Sequence, residues 1–241
     1  MKTTSRSLVL LVAVFAFGLP VLAQTPRKPN ATSILNNMFR VYSRSTSYQD
    51  EGILVTTRDE PTGGTIEKMP FKTFFKRPNL FRFEWTDYGA TKLGRTKMIW
   101  FDGKQAFTYW EPDYYEKEES LNLAIAGVSG VSDEAVNTVS DLLMPDRTTG
   151  SNLKKLLNVS VLGEEIFEGV RCYRIKGKEG NSSLELWIGK TDFLLRKLRK
   201  ESKYENQLRI HEETRRKILL DRSIGEVVFN YKPPIPLSPL P

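Results

Sequence analysis

The chain has 241 residues, 39% hydrophobic and 27% charged, with a formal charge of +7, one cysteine and one histidine. That length suits one large domain with its own core. It excludes an internal disulfide and a zinc site of the usual histidine and cysteine kind, while the mild basic excess suits anionic surfaces and solubility equally well.

Lys2 and Arg6 precede an unbroken apolar run from Leu8 to Phe17, followed by Gly18, Pro20 and then Val21-Leu22-Ala23 ahead of Gln24. The run is shorter than the roughly 20 residues that span a bilayer, so residues 1–23 read as a secretory signal cleaved after Ala23. Cleavage lowers the formal charge by two, and no cysteine follows at once to carry a lipid anchor. The mature chain is expected to work outside the cytoplasm.

Ile34, Leu35, Met38, Phe39 and Tyr42 recur at helical spacing, with Asn30 or Thr32 placed to cap the start. From Ser47 the period changes to two, which predicts strands near 48–58, 66–76, 80–87, 96–102 and 105–111. Turn signals separate them, and Asp102-Gly103 is the strongest hairpin mark. Between Lys117 and Asn158 the spacing is helical again, with Leu121, Ala124 and Ile125 in one stripe and Val136, Val139 and Leu143 in another. The second stripe has Ser132 or Asp133 as its cap and stops at Met144-Pro145. Strands resume near 159–167, 170–177, 183–189, 193–201, 206–217 and 226–231, and a proline-rich tail closes the chain at 233–241. The expected organisation is signal 1–23, one domain 24–232, then the tail.

A long antiparallel sheet interrupted by helices must have its concave face covered. The expected fold is therefore α+β, an incomplete antiparallel β-barrel of about ten or eleven strands covered by lid helices. Such a shape encloses an apolar pocket where the packing is loose.

Motifs for catalysis are scarce. His211 is the only histidine, and its charged neighbours suggest an exposed strand position. Gly189-Lys190-Thr191 resembles the end of a phosphate loop, yet Leu184 stands where its first glycine belongs. Glu84, Glu111, Glu165 and Asp102 could pair as carboxylates, with no spacing that selects them. No catalytic residue, cofactor or metal site is expected. An envelope hydrolase ranks last.

The segment Phe74-Phe75-Lys76-Arg77-Pro78-Asn79-Leu80-Phe81, followed by Arg82-Phe83-Glu84-Trp85, carries more information. Alternation puts Phe81, Phe83 and Trp85 on one strand face and Arg82 and Glu84 on the other. Basic and aromatic residues together also suit single-stranded nucleic acid, but an exported chain meets none. The rings either line a hydrophobic binding cavity or fill an ordinary core.

The run Lys76-Arg77-Pro78-Asn79-Leu80-Phe81 resembles the signature of the periplasmic outer-membrane lipoprotein carrier (LolA-like) family. Asp102-Gly103-Lys104 with Phe107 and Tyr109, the hairpin from Gly163 to Tyr173, and Phe229 with Pro233-Pro234 agree with it in order. The resemblance implies an unclosed antiparallel barrel capped by helices, in the periplasm, whose cavity holds acyl chains in transit toward the outer membrane. It implies that Arg77 latches the lid and that Phe81 lines the cavity; apolar contact with a bound chain makes Phe83, Trp85, Phe74, Met98 and Trp100 further lining candidates. The implied partner is an acylated lipoprotein or lipid, met by a monomer in transient contact with membrane surfaces. An inner-membrane release complex and an outer-membrane receptor are further candidates. A sensory or regulatory lipid-binding module of the same fold is the alternative. The loop from Thr86 to Lys97, the helices from Glu118 to Met144 and the proline-rich tail depart from the carrier pattern.

Overall fold

The computed structural model describes residues 30–59, 63–88, 94–146, 153–204 and 207–236. The expected signal at 1–23 lies outside them. Helix α1 (Ala31–Arg44) starts where the Asn30 side chain accepts the Ser33 N–H at 2.7 Å, and it buries Ile34, Leu35, Met38 and Tyr42 along one stripe.

Eleven strands follow: β1 (Ser47–Asp59), β2 (Thr65–Lys76), β3 (Leu80–Asp87), β4 (Arg95–Phe101), β5 (Ala106–Trp110), β6 (Tyr114–Glu118), β7 (Leu157–Phe167), β8 (Val170–Glu179), β9 (Ser182–Gly189), β10 (Leu195–Tyr204) and β11 (Gln207–Leu220). Helices α2 (Leu121–Ser129) and α3 (Ala135–Leu143) separate β6 from β7. All strands belong to one antiparallel sheet in the order β6-β5-β4-β3-β2-β1-β11-β10-β9-β8-β7. Each wing is a run of hairpins, and the pairing of β1 with β11 joins them. Because β6 and β7 do not pair, the barrel stays incomplete, and the helices cover its inner face. Helix α2 packs against β4, β5 and β6, and α1 against β7 and α3.

Two local expectations change. The segment near 226–231 is no strand: residues Glu226–Val228 form a 3-10 turn. Both neighbours of β1 and of β11 are already taken, so no ladder is open to it there. It crosses the outer face instead, where the Val228 carbonyl accepts Arg82 Nη1 at 3.0 Å and Phe229 is buried. Strand β6 is the second change, since the charged stretch from Tyr114 to Glu118 pairs with β5 through its backbone and owes little to apolar alternation.

One cluster of buried side chains unites the helices with the inner face, including Ile34, Met38, Phe75, Phe81, Phe83, Ile125 and Val139. Gly52 makes part of this packing possible. A Cβ there would lie 2.1 Å from the Phe71 ring, so only glycine lets that ring cross β1.

Candidate functional site

Phe81, Phe83 and Trp85 point inward as their alternation requires, and all three are no more than 1% exposed. Register brings Phe75 beside Phe81, and Phe71 beside Trp85, on the same face. The remaining lining candidates do not join them. Met98 and Trp100 face the other side of the sheet, where they form a separate cluster with Tyr109, Phe107, Tyr115, Tyr231 and Ile235. Trp100 stacks on Phe107 at 4.9 Å and meets Tyr231 edge-on at 5.7 Å. Phe74, paired with Arg82, also lies on that outer face. The reason is the two-residue period: Met98 pairs with Glu84 and Trp100 with Arg82, so both share the face that Phe81 and Phe83 leave. Residues close in sequence thus serve two surfaces: Phe81, Phe83 and Trp85 belong to the core shared with the helices, and Met98 and Trp100 lie with Tyr231 and Ile235 of the chain's own tail.

The centre of the inner face is charged as well as aromatic. Arg215, 2% exposed, donates to Asp50 at 2.5 Å and to Glu213 at 2.5 Å, and its guanidinium lies 4.8 Å from the centre of the Phe71 ring. Thr138 of α3 donates to the other oxygen of Glu213 at 2.8 Å, and Tyr48 donates to Asp50 at 2.5 Å. Burial raises the Glu213 carboxyl above its ordinary range, with Arg215 opposing that shift. Burial acts against the charged guanidinium too, but Glu213 and Asp50 outweigh it and keep Arg215 protonated. The sequence hid this triad because β11 is polar on both faces; only its pairing with β1 turns Glu213 and Arg215 inward.

Arg77 stands between β2 and β3 and reaches the C-terminal ends of two helices. Its Nε donates to the Ser45 carbonyl at 2.9 Å, and its Nη2 donates to the carbonyls of Ser43 at 2.6 Å and Leu143 at 2.9 Å. These are terminal carbonyls that a helix cannot satisfy internally, at the negative end of its dipole. One side chain therefore ties α1, α3 and the sheet together.

The opposite end of the lid is held by ion pairs. Asp133, in the turn between α2 and α3, accepts the Thr56 hydroxyl at 2.7 Å and Arg209 at 3.2 Å, and it meets Arg58 at 3.5 Å. The neighbouring Glu134 accepts Lys200 at 2.8 Å. Burial works against the charge on Lys200, yet Glu134 and Glu179 prevail and raise its pKa. Glu134 is the N-cap of α3, and no side chain caps the helix, with Asp133 turned toward the sheet. His211 is not an exposed residue: it lies on the inner face between Thr56 and Lys200, half-buried. Burial lowers its pKa from the ordinary 6.5, against the pull of Asp133.

Beside this turn opens a cleft of about 890 Å³, whose walls include Leu54, Met69, Ile66, Val131, Arg58 and Asp133. That volume is within the usual range for small-ligand sites. It lies at the rim away from Arg77. Among the described residues no group of three or more histidine, cysteine, aspartate or glutamate side chains is arranged to hold a metal, and no helix is long and apolar enough to cross a membrane.

Residues 31–235 match the family described as Predicted periplasmic protein (DUF2092), and the chain belongs to that family. Uncharacterized protein MJ0687 of Methanocaldococcus jannaschii is 28% identical over 170 residues, and the chain, 69% of which is covered, spans 40% of that protein's length. Similar solved structures include the Mycobacterium tuberculosis lipoprotein LppX, with 12% identity, a TM-score of 0.47 and coverage of 80% of this chain and 96% of that one. The LolA superfamily protein NE2245 from Nitrosomonas europaea has 11% identity, a TM-score of 0.33 and coverage of 83% and 97%. The Pseudomonas aeruginosa MucA/MucB complex has 13% identity, a TM-score of 0.38 and coverage of 84% and 61%.

Proposed function

We propose that this protein, exported and cleaved after Ala23, binds the acyl chains of lipoproteins or lipids beneath its lid helices and carries them across the periplasm toward the outer membrane. The carrying observation is the way the inner face is covered. Phe75, Phe81, Phe83 and Trp85 are shielded by helices rather than by further strands, and polar contacts hold those helices at both ends, beside an open cleft.

The physical problem of such a carrier is to move a hydrocarbon chain through water. Each exposed methylene costs roughly 0.8 kcal/mol, so a sixteen-carbon chain costs on the order of 10 kcal/mol. In the closed arrangement the helices fill the face that the chain would use, so loading requires them to move. Once they swing out, the rings exchange helix side chains for acyl chain, apolar contact for apolar contact. Arg77 then acts as the latch of the closed state, and Phe81, Phe83 and Trp85 as the cavity lining. Phe74, Met98 and Trp100 take no part.

A regulatory module that binds lipid without transferring it draws support from a different observation. Edge strand β7 leaves Leu157, Leu162 and Ile166 exposed, a surface suited to a protein partner. Mass spectrometry of the natively exported protein tests the shared part of both readings. Co-purifying acyl-bearing molecules are expected, and a protein that emerges empty and takes up no acyl-chain probe overturns them. Transfer of a labelled lipid between donor and acceptor vesicles separates carrier from regulator.

A further inference from the structure

The turn that closes the cleft has a costly backbone. Asp133 and Glu134 have φ values of 46° and 67°, two successive non-glycine residues in the left-handed region. Such geometry persists where surrounding contacts hold it, and here the contacts converge on one carboxylate. Thr56 and Arg58 lie on β1 directly opposite His211 and Arg209 on β11, so a hydroxyl, two guanidiniums and an imidazole share one patch of the inner face. Asp133 occupies it, accepting from Thr56 and Arg209 and facing Arg58. Thr56, Arg58 and Asp133 also line the cleft, whose walls run on through Leu54 and Met69.

The charges around this patch decide what would replace Asp133. Arg58 is shared with Glu67 at 2.7 Å, and Lys200 with Glu179 at 3.2 Å. If the turn withdraws, it takes Asp133 and Glu134 with it, while Glu67 stays with Arg58 and Glu179 with Lys200. Thr56 and Arg209 then lose the carboxylate they held, beside a cleft whose walls are partly apolar. We infer that Thr56, Arg58 and Arg209 form a headgroup site for the single anionic group, phosphate or carboxylate, of an amphiphile whose chains enter the cleft, and that Asp133 is the lid's own occupant of that site. The inference rests on the lipid-binding reading above and narrows it to anionic cargo. It also couples loading to opening, because an entering anion competes with Asp133 and releases the turn.

The test is calorimetric binding of short-chain phosphatidylglycerol, diacylglycerol with the same chains, and inorganic phosphate to the mature protein. Phosphatidylglycerol should bind roughly tenfold more tightly than diacylglycerol, and phosphate alone only weakly. Asp133→Asn removes the competing charge, and asparagine tolerates the left-handed backbone. By weakening the closed turn it should tighten both lipids and keep the preference for phosphatidylglycerol. The double variant Arg58→Gln/Arg209→Gln should abolish the preference while diacylglycerol still binds. Equal affinities with both lipids bound, or a double variant that keeps the preference, overturn the headgroup site and spare the lipid-binding reading. Phosphate binding as tightly as phosphatidylglycerol overturns the amphiphile in favour of a free anion. Failure of both lipids to bind removes the lipid-binding reading and this inference with it.

Discussion

The two ends of the lid are fastened by different physics. At one end the Arg77 guanidinium meets neutral carbonyls of α1 and α3. At the other, Asp133 and Glu134 meet Arg209, Arg58 and Lys200 across side chains that are 17–47% exposed. Charge–carbonyl contacts have no anionic partner to titrate, whereas partly exposed ion pairs are individually weak and screened by salt. If the lid opens as proposed, the acidic turn beside the cleft should yield before the end held by Arg77.

The largest effect is expected where the two ends share a foundation. Arg215→Met leaves Asp50 and Glu213 buried without their cation and should cost about 3–5 kcal/mol in urea unfolding, loosening both ends alike. Arg77→Ala should cost about 2–3 kcal/mol, since carbonyls of two helix ends lose a charged donor. Its signature is faster amide exchange near residues 42–45 and 143, with the turn at 130–134 little changed. Salt should do the reverse. Raising it to about 1 M shortens the screening length to about 3 Å, so exchange near 130–134 should quicken severalfold while the Arg77 end holds. Equal responses at both ends would erase the distinction.

The smallest effect concerns pH. His211 has its folded pKa held below 6.5 by burial, so the unfolded chain binds its proton more readily. Its contribution is complete above pH 6.5 and declines as acid takes the pH down through the window between the unfolded and folded values. His211→Gln should therefore flatten the pH dependence of stability just below 6.5, as read from urea midpoints across that range.

Much of the architecture was legible in the sequence because its causes are local. The apolar spacing of Ile34, Leu35, Met38 and Tyr42 and the period-two runs on either side of Arg77-Pro78-Asn79 correspond to α1, β2 and β3. The lid was legible as two short stripes, although the cap of α3 was not, since Asp133 serves the sheet in preference to the helix. Arg77 stood out only through resemblance, as nothing local marks an arginine before a proline as the partner of a carbonyl 66 residues away. Met98 and Trp100 looked like Phe81 and Phe83 because composition does not say which face of a strand a ring takes.

Taken alone, then, the sequence determined most of the elements, β6 and the turn at Glu226–Val228 excepted, their order and the need for helices over an open sheet, since hydrophobic period and turn chemistry act over a few residues. The tertiary structure decided which residues meet: Arg215 with Asp50, Arg209 with Asp133, and Trp100 with Tyr231. Those meetings depend on the register of β1 against β11 and of β3 against β4. A slip of one residue would turn Glu213 and Arg215 outward and Glu212 and Thr214 in. Only the packing of the whole inner face, with the Phe71 ring over Gly52 and α3 over the charged triad, selects one register from the other.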